Sequence, residues 1–230
     1  MAYPPTDGSF ARVDFLELIA HELRQPLTAA RGSLSMLLDP EREPRLEPEH
    51  RELLLGAIAR NLDQLAALLQ SLRVFSEADR GELEVVVGPT PVADLFRECA
   101  EDYPESRTRR RLRIESPTDL EIRVDRTLFK QVIANLVGNA IKFSPAGSLV
   151  TLSAQRGEGE VRIAVTDTGS GFPTEEKERI FERSVRLVHG ASGLGLGLYV
   201  ARAIVNAHQG SLNATSVVGR GSTFEVSIPA

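Results

Sequence analysis

The stretch 15-FLELIAHELRQPLTAARG-32 repeats apolar residues at intervals of three and four, which predicts an amphipathic helix. The full apolar stripe of this helix comprises Leu16, Ile19, Leu23, Leu27, Ala30, Leu34 and Leu38. At about 100° per residue, His21 lies about 140° around the helix from Leu16, so we expect it to face solvent with Gln25. An exposed imidazole can act as a nucleophile when a carboxylate orients it, and Glu22 is its neighbour.

A second helix is predicted after the break 38-LDPEREPRLEPEH-50, because none of its prolines suits a helix interior. Its apolar positions are Leu54, Ile58, Leu65, Leu68, Leu72 and Phe75. Residues 9–80 are therefore expected to form a helical hairpin. One hairpin cannot cover both apolar stripes, whereas two hairpins cover them in a four-helix bundle, which predicts a homodimer. The alternative is that the stripes pack on the remainder of the same chain.

From Gly81 onward the sequence alternates shorter strand-like and helix-like segments. Strands are predicted at 83-LEVVV-87, 110-RRLRIES-116, 120-LEIRV-124, 148-SLVTLSAQRG-157, 159-GEVRIAVTDTG-169, 210-GSLNATSVV-218 and 222-STFEVSIP-229. Helices are predicted at 92–103, at 125–143 with Asp125 as the N-cap, and at 195–210. Strands in mixed order with three interspersed helices predict an α/β sandwich, with one helical layer on one sheet, over residues 81–230.

The composition excludes several classes of protein. With 42% hydrophobic and 26% charged residues, the chain has the make-up of a globular protein. The net charge of −5 argues against a general nucleic-acid binder, which needs a basic face. Cys99 is the single cysteine, and no apolar run reaches the roughly 18 residues that span a bilayer. Without a signal-peptide layout at the N-terminus, the chain is expected to be cytoplasmic, with no membrane insertion.

Three further motifs contain residues suited to a nucleotide. In 135-NLVGNAIKF-143 two asparagines share a helix face and a lysine follows, which suits Mg²⁺ and phosphate; an exposed polar helix edge is the alternative. In 167-DTGSGF-172 an aspartate can accept a hydrogen bond from the amine of adenine, although such a motif is often only a turn. In 193-GLGLGL-198 glycines precede a helix whose N-terminal amides can hold phosphate.

In this order, the motifs resemble the catalytic core of bacterial sensor histidine kinases over about residues 10–230. The matching segments are 21-HELRQPL-27 for the H box, 135-NLVGNAIK-142 for the N box, 167-DTGSG-171 for the first glycine box, 180-IFER-183 for the F box, 193-GLGLGL-198 for the second glycine box and 219-GRGSTFEVSIP-229 for the terminal strand motif. The resemblance implies a dimerisation and phosphotransfer hairpin joined to an ATP-binding domain of the Bergerat (GHKL) fold.

The resemblance also implies roles for individual residues. His21 would be phosphorylated on a ring nitrogen, with Glu22 as its general base. The residues that would bind ATP are Asn135, Asn139, Lys142, Asp167, Gly169, Gly171, Phe181, Arg186, Gly193, Leu194, Gly195, Leu196, Gly197 and Thr223. Of these, Asn135 and Asn139 would also contact Mg²⁺. The implied activity is an ATP-dependent protein-histidine kinase that passes its phosphoryl group to an aspartate on a response-regulator receiver domain.

Some features depart from the family pattern. Gln25 stands where the family usually has Thr or Asn, the residue thought to orient the water that dephosphorylates the regulator, which puts phosphatase activity in question. Ser184 replaces a common aromatic residue, and the lid between Phe181 and Gly193 is short. No sensor segment precedes Phe10, so we expect either a cytosolic kinase served by a separate sensor protein or an excised core.

Two other functions remain open on the sequence alone. One is a non-catalytic phosphotransfer or docking module. The other is a different GHKL ATPase, such as a chaperone, a mismatch-repair type or an anti-sigma serine kinase. Such ATPases share the nucleotide motifs but lack a histidine-bearing hairpin.

Overall fold

The computed structural model describes residues 8–39, 46–103, 111–182 and 194–230, with the side chains of the first helix from Phe15. The helices are α1 (Gly8–Leu37), α2 (Pro48–Asp79), α3 (Val92–Asp102), α4 (Arg126–Phe143) and α5 (Gly197–Ala207). The strands are β1 (Gly88–Pro91), β2 (Arg111–Glu115), β3 (Glu121–Val124), β4 (Leu149–Arg156), β5 (Glu160–Thr166), β6 (Ser211–Val217) and β7 (Gly221–Pro229). Residues up to Arg73 fall in one compact unit, and most of the chain from Val74 falls in a second.

The first unit contains the predicted helical pair, with α1 running through Pro26 without interruption. The apolar stripe expected on α1 is only partly covered. Ala30 is buried, whereas Leu16, Leu27, Leu34 and Leu38 are exposed. On α2, the predicted stripe is half-buried or buried, but a further row of leucines is exposed, namely Leu53, Leu55, Leu62 and Leu69. This single chain therefore leaves a large apolar surface on its hairpin uncovered.

The second unit is built on a mixed five-stranded sheet with the order β2-β4-β5-β7-β6. β2 and β4 are parallel, and all other neighbours in this sheet are antiparallel. Burial alternates along β4, β5 and β7, as expected when one sheet face meets a hydrophobic core. The other side of that core comes from α4 and α5, which contact each other and the sheet. The predicted hairpin followed by an α/β sandwich is confirmed.

The strand predicted at 83–87 is wrong. These residues have no regular secondary structure, and the strand begins instead at Gly88, as β1. β1 pairs with β3 in a separate two-stranded sheet, which the sequence did not indicate. Val86 and Val87 are exposed, because no sheet neighbour covers them. The prolines of β1 fit this arrangement, since a two-stranded ribbon consists only of edge strands.

The start of α4 is held by a group of hydrogen bonds centred on Asp125, which confirms its predicted role as N-cap. Asp125 Oδ1 accepts the backbone N–H of Thr127 and that of Leu128, both at 3.1 Å. Asp125 Oδ2 accepts the N–H of Val86 at 3.2 Å. The backbone N–H of Asp125 donates to Nε2 of His208 at 2.8 Å. Asp125 thus connects the irregular segment 82–87, the start of α4 and the end of α5.

Helix α5 ends at Ala207, three residues before the predicted boundary. The chain leaves the helix through Gln209, which has a φ of 59°, before Gly210. Among all the helices that the structure describes, none combines the length and hydrophobicity needed to cross a bilayer.

Candidate functional site

The candidate phosphate acceptor lies on the exposed face of α1. The His21 side chain is exposed, and its Nε2 lies 3.0 Å from Nε2 of Gln25, one helical turn further on. Residues four apart are neighbours on a helix surface, so this contact follows from the local geometry. Glu22 is on a different face and is only 6% exposed. The structure therefore places an accessible imidazole next in sequence to a buried carboxylate.

In the second unit, a buried aspartate lies at the end of a central strand. Asp167 follows β5 and is 5% exposed. Its Oδ1 accepts the N–H of Gly169 at 2.7 Å, and its own N–H donates to the carbonyl of Ser222 at 2.9 Å. Burial raises the pKa of the Asp167 carboxyl above its usual range, and the backbone hydrogen bonds of Gly169 and Ser222 oppose this shift. A buried acceptor of this kind suits a ligand amine.

The loop after Asp167 has no room for side chains at its glycines. A Cβ at Gly169 would overlap the carbonyl oxygen of Phe143, and one at Gly171 would overlap that of Val217. Gly171 also has a φ of 61°, which disfavours other residues. These glycines let three chain segments converge beside the buried aspartate. They form a compact backbone cradle of the type predicted for the adenine end of a nucleotide.

The asparagines of α4 lie near the start of α5. Asn135 Nδ2 donates one of its two N–H groups to the carbonyl of Gly197 at 3.0 Å, and the carboxamide oxygen is an acceptor that suits another ligand. Asn139 is half-buried one turn later, and Lys142 is exposed at the end of the helix, with Nζ 5.1 Å from the Phe143 ring centroid. The two asparagines thus lie on one face of α4 near the start of α5, and their binding of phosphate stays a prediction.

The second glycine motif is described from Leu194 onward. Leu194 and Leu196 are buried, Gly195 has a φ of 68°, and Gly197 is the first residue of α5. Asn135 donates to the carbonyl of Gly197, so it lies beside the first residue of this eleven-residue helix. Free N–H groups at a helix start favour an anion.

Of the remaining residues predicted to bind the nucleotide, the structure describes Thr223 and Phe181 but not Arg186 and Gly193. Thr223 lies opposite Thr166 in the sheet, with the two Oγ1 atoms 3.1 Å apart, so it borders the strand end that carries Asp167. Phe181 is buried, with Arg202 stacked on its ring at 5.3 Å, which makes it part of the core. Arg186 and Gly193, like Ser184 and most of the expected lid, lie outside the described residues.

The carboxamide oxygens of Asn135 and Asn139 suit a magnesium ion, because Mg²⁺ prefers oxygen ligands. Among the described residues, no group of three or more His, Cys, Asp or Glu side chains could hold a metal ion. Mg²⁺ is often bound by one or two side chains together with waters and nucleotide phosphates. The donor set on α4 is therefore compatible with an ion that arrives with its nucleotide.

Residues of the last hairpin, which the sequence motifs did not indicate, shape the same cradle. Gly221 has a φ of 109°, and a Cβ there would overlap the carbonyl oxygen of Asp167. Ser216 Oγ accepts the N–H of Phe172 at 2.8 Å and donates to the carbonyl of Gly221 at 2.9 Å. The glycine pair in 219-GRGS-222 is the signal that could have revealed this close approach.

Comparison with known domain families divides the chain in two. Residues 11–81 match the family model described as His Kinase A (phospho-acceptor) domain. Residues 124–230 match the model described as Histidine kinase-, DNA gyrase B-, and HSP90-like ATPase. His21 lies in the first matched region, and Asp167 and the asparagines of α4 lie in the second. The presence of both matches argues against the alternative of a GHKL ATPase without a histidine-bearing hairpin.

Individual proteins match this chain over most of its length. The adaptive-response sensory kinase SasA of Synechocystis sp. is 34% identical over 222 residues, covering 93% of this chain and 58% of that protein. The sensor-like histidine kinase SenX3 of Mycobacterium bovis is 32% identical over 226 residues, covering 96% and 54%. The structure of full-length ShkA with AMPPNP aligns with a TM-score of 0.64 at 25% identity, covering 93% of this chain and 45% of ShkA. The chain spans little more than half the length of these curated relatives.

Proposed function

Because the chain belongs to the sensor histidine kinases, we propose that it is an ATP-dependent protein-histidine kinase of a two-component system. In this proposal, His21 takes the γ-phosphoryl group of ATP and passes it to an aspartate of a response-regulator receiver domain. The main support for this proposal is that one chain contains both an exposed histidine in the phospho-acceptor region and a buried aspartate in a glycine cradle of the ATPase region.

The residues of the second unit have distinct tasks in this proposal. Asp167 accepts a hydrogen bond from the exocyclic amine of adenine, because a carboxylate can accept several hydrogen bonds and the Gly169 N–H occupies only part of this capacity. Gly169, Gly171 and Thr223 shape the cradle for the flat base. The phosphates lie along α4 and at the start of α5, where they meet carboxamides, a lysine and helix N–H groups. Arg186 and Gly193 contribute from the lid.

A magnesium ion fits this arrangement at Asn135 and Asn139. When bound, Mg²⁺ offsets negative charge on the phosphates. The protein residues orient the nucleotide, and Lys142 adds a positive charge at the exposed end of α4. Little covalent chemistry is left to the protein in phosphoryl transfer, so positioning carries most of the catalysis.

On the first unit, Glu22 is proposed as the general base for His21. Its position supports this role, since Glu22 directly follows His21 in the sequence and a carboxylate can take a proton from an imidazole. The proton to be removed is the one on the imidazole nitrogen that does not attack phosphorus. Phosphatase activity through Gln25 is not part of this proposal.

We further propose a homodimer, with domains at residues 9–80 and 81–230. The exposed leucines of α1 and α2 support this assembly, because an apolar surface of that extent is unusual on a monomer. A second hairpin would cover it in a four-helix bundle. The segment from Phe75 to Pro89 is the proposed hinge, and its irregular part, 82–87, supports that role. A separate sensor protein and a cytoplasmic location complete the proposal.

Incubation with γ-labelled ATP tests the kinase. The chain should acquire an acid-labile, base-stable label, and His21→Ala should abolish it. His50→Ala is the matched control, since His50 is also an exposed histidine on a hairpin helix. Asp167→Asn should lose the label through loss of nucleotide binding. Equal labelling of His21→Ala and the parent would contradict the assignment of His21, and failure of the parent to bind ATP would contradict the kinase itself.

A further inference from the structure

The contact between His21 and Gln25 constrains where the imidazole carries its proton. The two side chains are exposed, and their Nε2 atoms are 3.0 Å apart. The amide nitrogen of glutamine has two N–H groups and no lone pair available for a hydrogen bond, so it can only donate. With the amide nitrogen of Gln25 facing the ring, His21 accepts through Nε2. A neutral imidazole that accepts at Nε2 carries its proton on Nδ1.

We infer that Gln25 is a positioning residue that selects this tautomer of His21 and keeps the Nε2 lone pair free of a proton. This inference rests on the proposed kinase function and adds to it that Nε2 is the atom that attacks. It assigns Gln25 to the phosphorylation step, whereas the residue at its position was expected to act on a water during dephosphorylation. In the structure the amide is already committed to the ring.

The phosphorylation step follows from this proton placement. Gln25 releases its hydrogen bond, and the Nε2 lone pair of His21 forms the bond to the γ-phosphorus. The bond between that phosphorus and the β–γ bridging oxygen breaks, and its electron pair leaves with ADP. The proton on Nδ1 then passes to a base, for which Glu22 is proposed. The ring is left neutral, with phosphate on Nε2.

The proposed role requires that residue 25 donate a hydrogen bond to Nε2 of His21. Replacement of Gln25 by a residue that only accepts hydrogen bonds therefore tests this role directly. Gln25→Glu places a carboxylate of nearly the same size on the same helix face. A carboxylate only accepts hydrogen bonds, so it favours a ring with its proton on Nε2. The lone pair that should attack is then occupied. Thr28→Glu is the matched control, because Thr28 is exposed two turns beyond His21 and this change adds the same charge without altering residue 25.

The first measurement is the ¹⁵N–¹H spectrum of the full chain labelled with ¹⁵N-histidine, with the His21 signals identified from their loss in His21→Ala. The parent and Thr28→Glu should show His21 protonated on Nδ1, and Gln25→Glu should show protonation on Nε2. A parent spectrum with the proton on Nε2 would overturn the inference. This spectrum requires no ATP, so it decides the tautomer even if the kinase proposal fails.

The second measurement is the initial rate of phosphorylation with γ-labelled ATP. A hydrogen bond between two exposed side chains one helical turn apart contributes little free energy. We therefore expect Gln25→Glu to slow the rate of phosphorylation at saturating ATP by only about two- to fivefold. The KM for ATP should not change, and Thr28→Glu should match the parent. An equal rate in Gln25→Glu and Thr28→Glu would overturn the role of Gln25. Absence of phosphorylation in the parent would refute the proposed function instead.

Discussion

Replacement of His208 by phenylalanine is expected to lower the free energy of unfolding by about 1–3 kcal/mol, because the ring that replaces the acceptor leaves the half-buried N–H of Asp125 without a partner. The His208 ring is 7% exposed, accepts the N–H of Asp125 at 2.8 Å and meets the Phe129 ring edge-on, with centroids 5.9 Å apart. A phenyl ring preserves this packing and removes the acceptor. The carbonyl of Ile204 loses the His208 Nδ1–H but keeps the backbone N–H of the same residue, at 3.2 Å. The Asp125 N–H therefore carries most of the effect.

Urea unfolding of the full chain, followed by circular dichroism, measures this loss. A loss of about 2 kcal/mol corresponds to a fall in Tm of roughly 4–8 °C for a unit of this size. His50→Phe is the control at an exposed position and should stay within about 0.5 kcal/mol of the parent. His208→Gln can still offer an oxygen to Asp125 and should recover part of the loss. If His208→Phe unfolds like the parent, the hydrogen bond does not stabilise the start of α4 and this reasoning is refuted.

Three other predictions concern buried groups. Asp167→Asn should abolish ATP binding, measured by calorimetry, yet leave the chain no less stable at pH 7. Burial raises the pKa of Asp167, so its ionised form destabilises the folded chain above that pKa, and this destabilisation disappears as the pH falls through it. The difference in unfolding free energy between Asp167→Asn and the parent should therefore shrink in acid, and a difference that grows in acid would contradict this reasoning. Gly221→Ala should unfold far more easily than Gly219→Ala, since both have positive φ but only Gly221 lies against a carbonyl; equal losses would contradict the crowding. Burial raises the pKa of Cys99 to about 12, so iodoacetamide at pH 8 should modify it only in denaturant; rapid reaction of the native chain would show that the thiol is accessible.

The features that could be predicted from the sequence depend on neighbouring residues. The spacing of apolar residues located α1, α2 and α4, and the alternation in 148–169 located the hairpin of β4 and β5. Asp125 was recognisable as an N-cap because its partners lie two and three residues further on. The exposed position of His21 and its contact with Gln25 follow from helical geometry alone. Local periodicity and capping chemistry determine all of these features.

Contacts between residues that are far apart in the sequence could not be predicted from it. His208 lies 83 positions from its partner Asp125, so no local sequence pattern predicts their hydrogen bond. The run 85-VVV-87 has high strand propensity but lacks a pairing partner, and propensity does not supply one. The approach of Gly221 to Asp167 depends on the register between β5 and β7. The burial of Glu22 beside the exposed His21 likewise depends on packing that the helix itself does not determine.

The exposed leucines of α2 constrain the shape of any helix that packs against them. Leu55, Leu62 and Leu69 are spaced seven residues apart, and each is about half exposed. Two turns of an α-helix take about 7.2 residues, so a row with a period of seven drifts by roughly 20° per repeat around a straight axis. A partner that stays in contact with all three leucines must follow this drift. The two helices would then wind around each other as a left-handed supercoil, and a rotation applied at one end of such a coil would be carried along its length.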